Sequence, residues 1–413
     1  MKKTLFLSCL LLLFIFSCGS EKKQEESKDG SVTLRFATWD TGQELEIQKE
    51  IAKKFTEKNP KIKIQVEAYG DGFDQKLVAS FGAKDAPDVM YMWDFPTYGS
   101  SLEDLNPYIA KDSSIDIKDF YEGLLHYVQM DGKTYGIPSG FTTHVMYYNK
   151  KLFDAAGVAY PTENWTWEEF AEKAQKLSKP DEKIYGFGVP SKPDPYDFEQ
   201  FLWSFGSSYI SPDGKTLKGY LDSPESIAAA QLFGDLVKSK AGVLVGKKDQ
   251  QSGDDIFKAQ KIAMWESGIW PLNGFKEAGV DFGIALMPRK GTNPPKSVVS
   301  LSAVAMWKDS KHKDAAWEFI KFYNSEEAAK LRVTDLPVRK SLVEKFGTTK
   351  DPMMKPFYTM LETSDNTPAF LLNKNWKEVQ RNLGIAIENI MIGNQDAKTA
   401  FTDVVTKSEF LLN

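Results

Sequence analysis

The apolar positions in the first part of the folded region alternate between two periods. Period-two alternation is typical of strands and three-to-four spacing of helices, which predicts strands at 32–39, 62–69 and 86–93 and helices at 43–60 and 73–84. A β-α-β-α-β order predicts parallel strands joined by crossover helices. Because ligands bind such sheets at the carboxyl ends of the strands, the loops after Trp39, Tyr69 and Trp93 are the first candidates for a binding site.

The same mixture of periods continues along the rest of the chain. Thr166, with Glu169 three positions later, predicts a capped helix start. Strand-like segments occur at 280–291 and 296–308, and further helices are predicted at 226–242, 312–332 and 376–393. This alternation over a chain of 413 residues predicts an α/β protein of two or three domains.

The N-terminus has a different pattern. A short basic start precedes a mainly apolar stretch from Leu5 to Phe16, which has the length of a signal-peptide core and is short for a membrane span. Ile15-Phe16-Ser17-Cys18 resembles the lipobox of bacterial lipoproteins, in which cleavage leaves a lipidated cysteine. We therefore expect a lipoprotein signal peptide at 1–17, lipidation of Cys18 and a flexible, polar tether at 18–31. An ordinary signal peptide is the alternative.

Composition argues against several functions. The formal net charge of −5 provides no basic surface for nucleic acid. Both cysteines, Cys9 and Cys18, precede the folded region, which excludes a disulfide, a zinc–thiolate site and a nucleophilic thiol there. The sequence has no H-E-x-x-H or G-x-S-x-G motif, and its three scattered histidines argue against a Ser-His-Asp triad. We expect no enzymatic activity, cofactor or metal; a lipoprotein glycosidase with paired carboxylates is the enzymatic alternative.

Five segments resemble, in order and spacing, the maltose-binding-like family of extracellular solute-binding proteins, which serve ATP-binding-cassette (ABC) sugar importers. They are APDVMYMW (86–93), YGIPSGFTTHVMYYNKKLFDAAGV (135–158), DGKTLKGYLDSPES (213–226), FKAQKIAMWESGIWP (257–271) and AAWEFIKFYNSEEAAKL (315–331). The resemblance implies a two-lobed periplasmic-binding-protein fold, type II-like, each lobe a mostly parallel sheet flanked by helices. It implies an N-terminal lobe at 32–140 and 285–337, and a C-terminal lobe at 141–284 and 338–413.

Binding a sugar in water requires aromatic faces against its C–H surfaces and polar side chains in place of the water at its hydroxyls. The sequence has 10 tryptophans, several of which directly precede acids, among them Trp39-Asp40, Trp93-Asp94 and Trp265-Glu266. Asp94 follows the third strand, where the resemblance implies an acid that binds a hydroxyl; a helix cap is the alternative. Trp39 and Asp40 are candidates at the end of the first strand, with core packing and capping as their alternatives.

The resemblance implies further ligand contacts, each with a structural alternative. Trp270 corresponds to a sugar-stacking aromatic of the family. Trp203, with Glu199 four residues earlier on the same helical face, resembles a wall of the cleft. The other candidates are His144, Glu266, Arg339 and Trp376. The alternatives are core packing for the tryptophans, a satisfied buried group for His144 and an ion pair at the lobe crossing for Arg339.

Together these features predict a lipid-anchored receptor in the cell envelope, facing outside the cytoplasm. It is expected to capture a carbohydrate, an oligosaccharide in particular, and to deliver it to the transmembrane permease of an ABC-type importer. Its expected partners are the sugar, the permease and the membrane that holds the lipid, with no nucleic acid, and it is expected to be a monomer. The alternative ligands are a polyamine, held by aromatic and acidic side chains, and a sugar phosphate, which needs basic ones.

Overall fold

The computed structural model describes residues 30–246 and 251–413, which form an α/β protein. The predicted signal peptide at 1–17, the lipidation site Cys18 and nearly all of the tether at 18–31 lie outside the described residues. Within the described ranges, no helix combines the length and apolar character that crossing a membrane requires.

The strands form two five-stranded sheets and one small hairpin. Their bounds are β1 Val32–Thr38, β2 Ile62–Ala68, β3 Val89–Met92, β4 Gln129–Met130, β5 Lys133–Thr134, β6 Gly136–Thr143, β7 Val145–Asn149, β8 Tyr185–Pro190, β9 Gly242–Val245, β10 Ile262–Ser267, β11 Phe282–Ala285 and β12 Val299–Met306. The first sheet has the order β2-β1-β3-β12-β6 and the second the order β11-β7-β10-β8-β9. We call the units built around them the N-terminal and C-terminal lobes.

Helices flank both sheets. Their bounds are α1 Gly42–Lys58, α2 Phe73–Gly82, α3 Phe95–Tyr98, α4 Asn106–Lys111, α5 Glu122–Val128, α6 Lys150–Ala156, α7 Trp167–Leu177, α8 Pro195–Phe205, α9 Pro224–Lys238, α10 Gly253–Lys258, α11 Leu272–Glu277, α12 Lys313–Tyr323, α13 Glu326–Leu331, α14 Lys340–Phe346, α15 Lys355–Thr363, α16 Ala369–Leu372, α17 Trp376–Met391 and α18 Ala397–Ser408. The predicted capping box is present at the start of α7, where Thr166 accepts from the Glu169 amide and Glu169 accepts from the Thr166 amide.

Both sheets are mixed, which refines the expectation of mostly parallel sheets. In the first sheet β1 is parallel to β2 and β3, whereas β12 runs antiparallel to β3 and β6. In the second sheet β8 is parallel to β9 and β10, whereas β7 runs antiparallel to β10 and β11. The chain passes between the lobes at these antiparallel strands. It leaves β6 and enters β7 at the first crossing, and it leaves β11 and enters β12 at the second.

Aromatic side chains form a large part of both cores. In the N-terminal lobe Phe36 of β1 contacts Phe319 of α12 edge to face, with ring centroids 5.3 Å apart, and Phe55 of α1 contacts the same ring. In the C-terminal lobe Phe201 of α8 and Phe233 of α9 have centroids 4.5 Å apart. Such pairs stabilise by more than the area they bury, and they fix the helices against the sheets whose strand ends surround the cleft.

Three segments connect the lobes, and their positions differ from the expected boundaries. His144 is the single residue between β6 and β7, so 141–143 belongs to the first sheet rather than to the C-terminal lobe. Residues 286–298 return the chain from β11 to β12. The third crossing follows α15, which packs against β6, where the Thr143 hydroxyl donates to the Phe357 carbonyl at 2.7 Å. The segment from 338 to the end of α15 thus packs on the N-terminal lobe, because the apolar face of α15 covers β6.

Two predicted helices have different bounds in the structure. The predicted helix at 312–332 is two helices, α12 and α13, because Ser325 begins a new helix by accepting from the Ala328 amide. The predicted helix at 226–242 ends at Lys238, and Gly242 begins strand β9 instead. In both cases the apolar spacing continues across the break, so the pattern alone does not reveal it.

Candidate functional site

Three neighbouring compartments lie between and beside the lobes, and we call them together the cleft. The central compartment, about 250 Å³, lies between Trp39, Tyr91 and Asp335 of the N-terminal lobe and Trp270. The wide compartment, about 800 Å³, lies between Trp93 and Asp94 on one side and α8 and α17 on the other. The deep compartment, about 300 Å³, extends into the C-terminal lobe behind Glu266. The deep compartment shares Trp270 with the central one and Asp197 with the wide one.

Trp270 lies where the central and deep compartments meet, in the turn between β10 and α11. Its side chain is 50% exposed, although an indole of this size is usually more buried. The backbone of Gly268 makes this position possible, because a Cβ there would lie 2.3 Å from the Trp270 ring. The His144 ring supports the indole edge to face at 5.5 Å. Trp270 is therefore a fixed, open aromatic face, as the sequence predicted for a stacking residue.

Trp93 provides a second open aromatic face, in the wide compartment. It directly follows β3, is 44% exposed, and contacts Phe370 of α16 across the cleft with ring centroids 6.2 Å apart. Trp93 itself was not among the predicted ligand contacts, although the loop that follows it was a predicted place for the site. Asp94 accepts from the Thr97 amide at 3.1 Å and so caps α3, and it also lines the wide compartment. The capping alternative for Asp94 is thus correct, and its carboxylate still faces the space next to Trp93.

Trp39 and Asp40 line the central compartment at the end of β1, as expected from the strand order. Trp39 is half-buried, with its ring 4.7 Å from that of Tyr91. The Gln48 amide donates to the Asp40 carboxylate at 2.7 Å, and burial raises the pKa of Asp40. Trp39 is thus both part of the core edge and part of the cleft wall.

Three charged residues of the central compartment were not predicted from the sequence: Glu44, Arg332 and Asp335. The Arg332 guanidinium is 5% exposed and lies over the Tyr323 ring at 4.6 Å, and its Nε and Nη1 have no hydrogen-bond partner in the described part of the chain. Burial raises the pKa of Asp335 to about 6, against the opposing charge of Arg332. Arg332 and Asp335 lie just after α13, and no spacing or motif in the sequence marks them. Only the packing of this loop beside β6 brings them to the cleft.

His144 and Glu266 join the lobe crossing to the deep compartment. The His144 ring nitrogen Nδ1 pairs with Glu266, and Gln200 of α8 donates to the same carboxylate at 2.9 Å. Burial lowers the pKa of His144, but the charge and hydrogen bond of Glu266 outweigh it and raise the pKa to about 9. The His144 amide also donates to the Ser297 hydroxyl at 2.7 Å, so two of the three crossing segments are joined at this residue.

The structure does not bring the remaining candidates to an open face of the cleft. Trp203 is 4% exposed and lines none of the three compartments, because α8 turns it into the core of the C-terminal lobe. Its helix neighbour Glu199 lines the wide compartment instead. Trp376 is 4% exposed and stacks on Tyr209 at 5.9 Å, with only part of it at the wall of the wide compartment. These placements argue against direct ligand contacts for Trp203 and leave Trp376 as a wall residue.

Arg339 also lies away from the three compartments. Its Nε donates to the Asp119 carboxylate at 2.7 Å and its Nη1 to the Asn324 carbonyl at 3.2 Å, within the N-terminal lobe. The predicted crossing at 337/338 is displaced to the end of α15, which explains why Arg339 is not at a hinge. Arg339 thus forms an ion pair, as the alternative stated, but within the N-terminal lobe and not across a hinge.

We expect Arg339→Leu to reduce stability without changing ligand affinity. Removing a partly buried, hydrogen-bonded guanidinium leaves the Asp119 carboxylate without that partner, which costs about 1–3 kcal/mol of unfolding free energy. Urea unfolding and ligand titration of the same preparation measure the two quantities. A weakened ligand affinity in a folded variant would restore Arg339 as a ligand contact.

The charges of the cleft restrict its ligands. Acidic side chains outnumber basic ones in every compartment: the central one has Asp40, Glu44 and Asp335 against Arg332. The deep one has four acids against Lys192 and the charged His144, and the wide one has six acids against four basic residues, two of them on α17. An anionic ligand is therefore disfavoured, whereas the acceptors suit hydroxyl groups or a cation.

The comparisons with known proteins agree with this geometry. A family profile described as bacterial extracellular solute-binding protein matches residues 39–330. The arabinooligosaccharide-binding protein of Bacillus subtilis is 28% identical over 340 residues, which cover 78% of this chain and 76% of that protein.

Two solved structures have a similar fold. An ABC substrate-binding protein of Listeria monocytogenes, in complex with cycloalternan, superimposes with a TM-score of 0.81 and 25% identity, covering 91% of this chain and 98% of that one. UgpB of Mycobacterium tuberculosis, in complex with glycerophosphocholine, superimposes with a TM-score of 0.80 and 21% identity, covering 93% and 99%. The expected two-lobed binding-protein fold is thus confirmed, whereas the ligands of these proteins differ from each other.

Proposed function

This chain belongs to the family of bacterial extracellular solute-binding proteins, and from that premise we propose that its cargo is a neutral carbohydrate, an oligosaccharide in particular. The observation that carries the proposal is the pair of open indoles, Trp93 and Trp270, which are 44% and 50% exposed in a cleft with excess carboxylates. An aromatic face covers the apolar side of a sugar ring, and carboxylates accept hydrogen bonds from its hydroxyls. The two indoles lie in different compartments, which favours a ligand of more than one ring.

The proposed mechanism is capture by closure of the lobes. Asp94 and Asp335 belong to the N-terminal lobe, and Glu199 and Glu266 to the C-terminal lobe, so a ligand in the cleft reaches both. A ligand that contacts both lobes binds the closed state better and shifts the population toward it. The closed receptor then delivers the sugar to the permease of an ABC-type importer. No covalent step is needed for this cycle.

A titration of intrinsic fluorescence tests the proposed cargo. We expect one neutral oligosaccharide to give a saturable change, because Trp93 and Trp270 are both half exposed and would be covered. Polyamines and sugar phosphates, the alternative ligands, are titrated in parallel. Silence from every neutral sugar, or appearance of shortened product, would overturn the proposal, the latter in favour of a glycosidase.

A polyamine is the second candidate ligand, because the acidic excess of each compartment and the open indoles also suit a cation. The salt dependence of binding separates the two ligands. Affinity for a polyamine falls steeply as salt screens its charges, whereas affinity for a neutral sugar stays nearly constant.

We also propose that the receptor is held at the membrane by a lipid on Cys18, which the lipobox-like sequence Ile15-Phe16-Ser17-Cys18 supports. Two or more acyl chains would suffice for stable anchoring. Expressed in a bacterium, the protein is expected in the detergent phase of a Triton X-114 separation, and Cys18→Ala is expected in the aqueous phase. Equal partitioning of both would contradict the lipid anchor.

A further inference from the structure

The deep compartment differs in chemistry from the two compartments with which it shares lining residues. Its floor consists of Phe187 and Val189 of β8, Phe198 and Phe201 of α8, and Phe233 of α9, with Met391 of α17 at its edge. These side chains are the outer surface of the aromatic core of the C-terminal lobe. Polar side chains also line the deep compartment, namely His144, Lys192, Asp194, Asp197, Ser252, Asp254, Glu266 and Ser267. A sugar ring packed against the aromatic floor would nevertheless lose the water at the hydroxyls on that side, which is costly.

The Trp265 side chain forms one wall of the deep compartment, and its neighbours fix its position. The Trp265 indole lies directly over two glycines, since a Cβ at Gly253 would be 2.1 Å from its ring and one at Gly188 would be 2.9 Å away. Its Nε1 donates to the Asp254 carboxylate at 2.7 Å, which fixes its orientation. Any larger residue at Gly253 or Gly188 would displace this wall. The shape of the compartment therefore depends on glycine at these two positions.

An ion placed against the aromatic floor would lose its water of hydration, which is costly. Glu266 is paired with His144 and Gln200, and Asp254 accepts from Trp265. Together with Asp194 and Asp197, these acids repel an anion. A group that packs against the aromatic floor itself is therefore expected to be uncharged and apolar. The volume of about 300 Å³ compares with a cavity of about 150 Å³ that is known to bind benzene, so one aromatic ring fits.

We infer that the deep compartment binds an uncharged aromatic group carried by the sugar, so that the cargo class is an aryl glycoside. This inference rests on the proposed function. The position supports it, because Trp270 borders both the central and the deep compartment and Asp197 borders both the deep and the wide one. A ring in the deep compartment and a sugar stacked on Trp270 would thus both contact this indole.

The first test uses a small aromatic probe and methionine methyl groups as reporters. In the full chain labelled with 13C-methyl methionine, benzyl alcohol is expected to move the Met391 methyl resonance saturably, through the ring current. Met360, buried in the N-terminal lobe on α15, is the matched reporter and is expected to stay in place. No movement of Met391, or equal movement of both, would overturn the inference.

Filling the compartment provides the second test. Val189→Phe is expected to weaken benzyl alcohol binding by about tenfold or more, because the added ring occupies the floor. If this variant does not fold, the response of Met391 in the wild-type protein still tests the inference. Benzoate and benzylammonium are the charged arms, and about tenfold tighter binding of either than of benzyl alcohol would overturn the assignment to an uncharged group.

A third measurement separates this inference from the proposed function. Trp93→Ala is expected to weaken binding of neutral oligosaccharides but to leave the Met391 response to benzyl alcohol unchanged, since Trp93 lines only the wide compartment. A Met391 response without any glycan binding would leave the compartment assigned and the sugar proposal refuted. Glycan binding with a silent Met391 would refute the aryl group alone. A phenyl glycoside should bind about tenfold more tightly than the matching methyl glycoside.

Discussion

Replacing Trp270 by alanine is expected to weaken ligand binding by about 30-fold or more, which corresponds to about 2 kcal/mol or more for an aromatic hot spot. The indole forms a wall of two compartments and is half exposed, so the ligand covers surface that is otherwise in contact with water. Because the ring contributes little to the core, the free energy of unfolding should change by less than the binding free energy. Isothermal titration and urea unfolding measure the two effects.

Two further variants make the Trp270 prediction specific. Trp307→Ala removes the same side chain at the edge of the N-terminal lobe, outside the three compartments, and is expected to leave affinity unchanged. Gly268→Ala keeps the indole but places a methyl group about 2.3 Å from it, which forces the ring out of position. We expect weakened binding in Gly268→Ala as well. Normal affinity in Trp270→Ala would remove the central stacking surface from the mechanism.

The order β1-α1-β2-α2-β3 could be predicted because each segment has its own hydrophobic period. The predicted strand ends at Trp39 and Trp93 lie at two walls of the cleft. The prediction of Trp203 as a cleft residue also rested on local spacing, but the structure places this side chain in the core. Helical spacing placed Trp203 and Glu199 on one face, but it does not state which edge of that face is open, and only Glu199 reaches the cleft.

Tertiary packing determines what the sequence did not reveal. Asp335 reaches the cleft because Gly140 of β6 leaves room for its carboxylate, which a Cβ at that position would meet at 2.4 Å. In sequence, that pair is separated by β7 to β11, which form the sheet of the C-terminal lobe, and by β12, α12 and α13. The third crossing after α15 likewise depends on the contact of α15 with β6, not on a local pattern. Long-range contacts of this kind leave no period or motif to recognise.

Replacing Glu199 by glutamine is expected to stabilise the protein at alkaline pH. Burial raises the pKa of Glu199 to about 8, against an opposing hydrogen bond from the Ala369 amide, and the side chain is 2% exposed. In the unfolded chain a glutamate has a pKa of about 4.3. The folded state therefore holds the proton more tightly, and stability declines as pH rises from about 4.3 to about 8. An amide mimics the protonated carboxyl and does not ionise.

The gain in unfolding free energy of Glu199→Gln over the wild type should be negligible near pH 4 and reach several kcal/mol, on the order of 3–5, at pH 9. Glu163→Gln, the same change on an exposed loop, is the control and should show no such rise. Urea unfolding across this pH range measures both. A gain that does not vary with pH would contradict the prediction, because the ionisation of Glu199 would then have no effect on the free energy of unfolding. A rising gain would mean that, at neutral pH, this wall of the wide compartment presents a protonated carboxyl, which can donate a hydrogen bond to a sugar oxygen where the other acids of the cleft can only accept one.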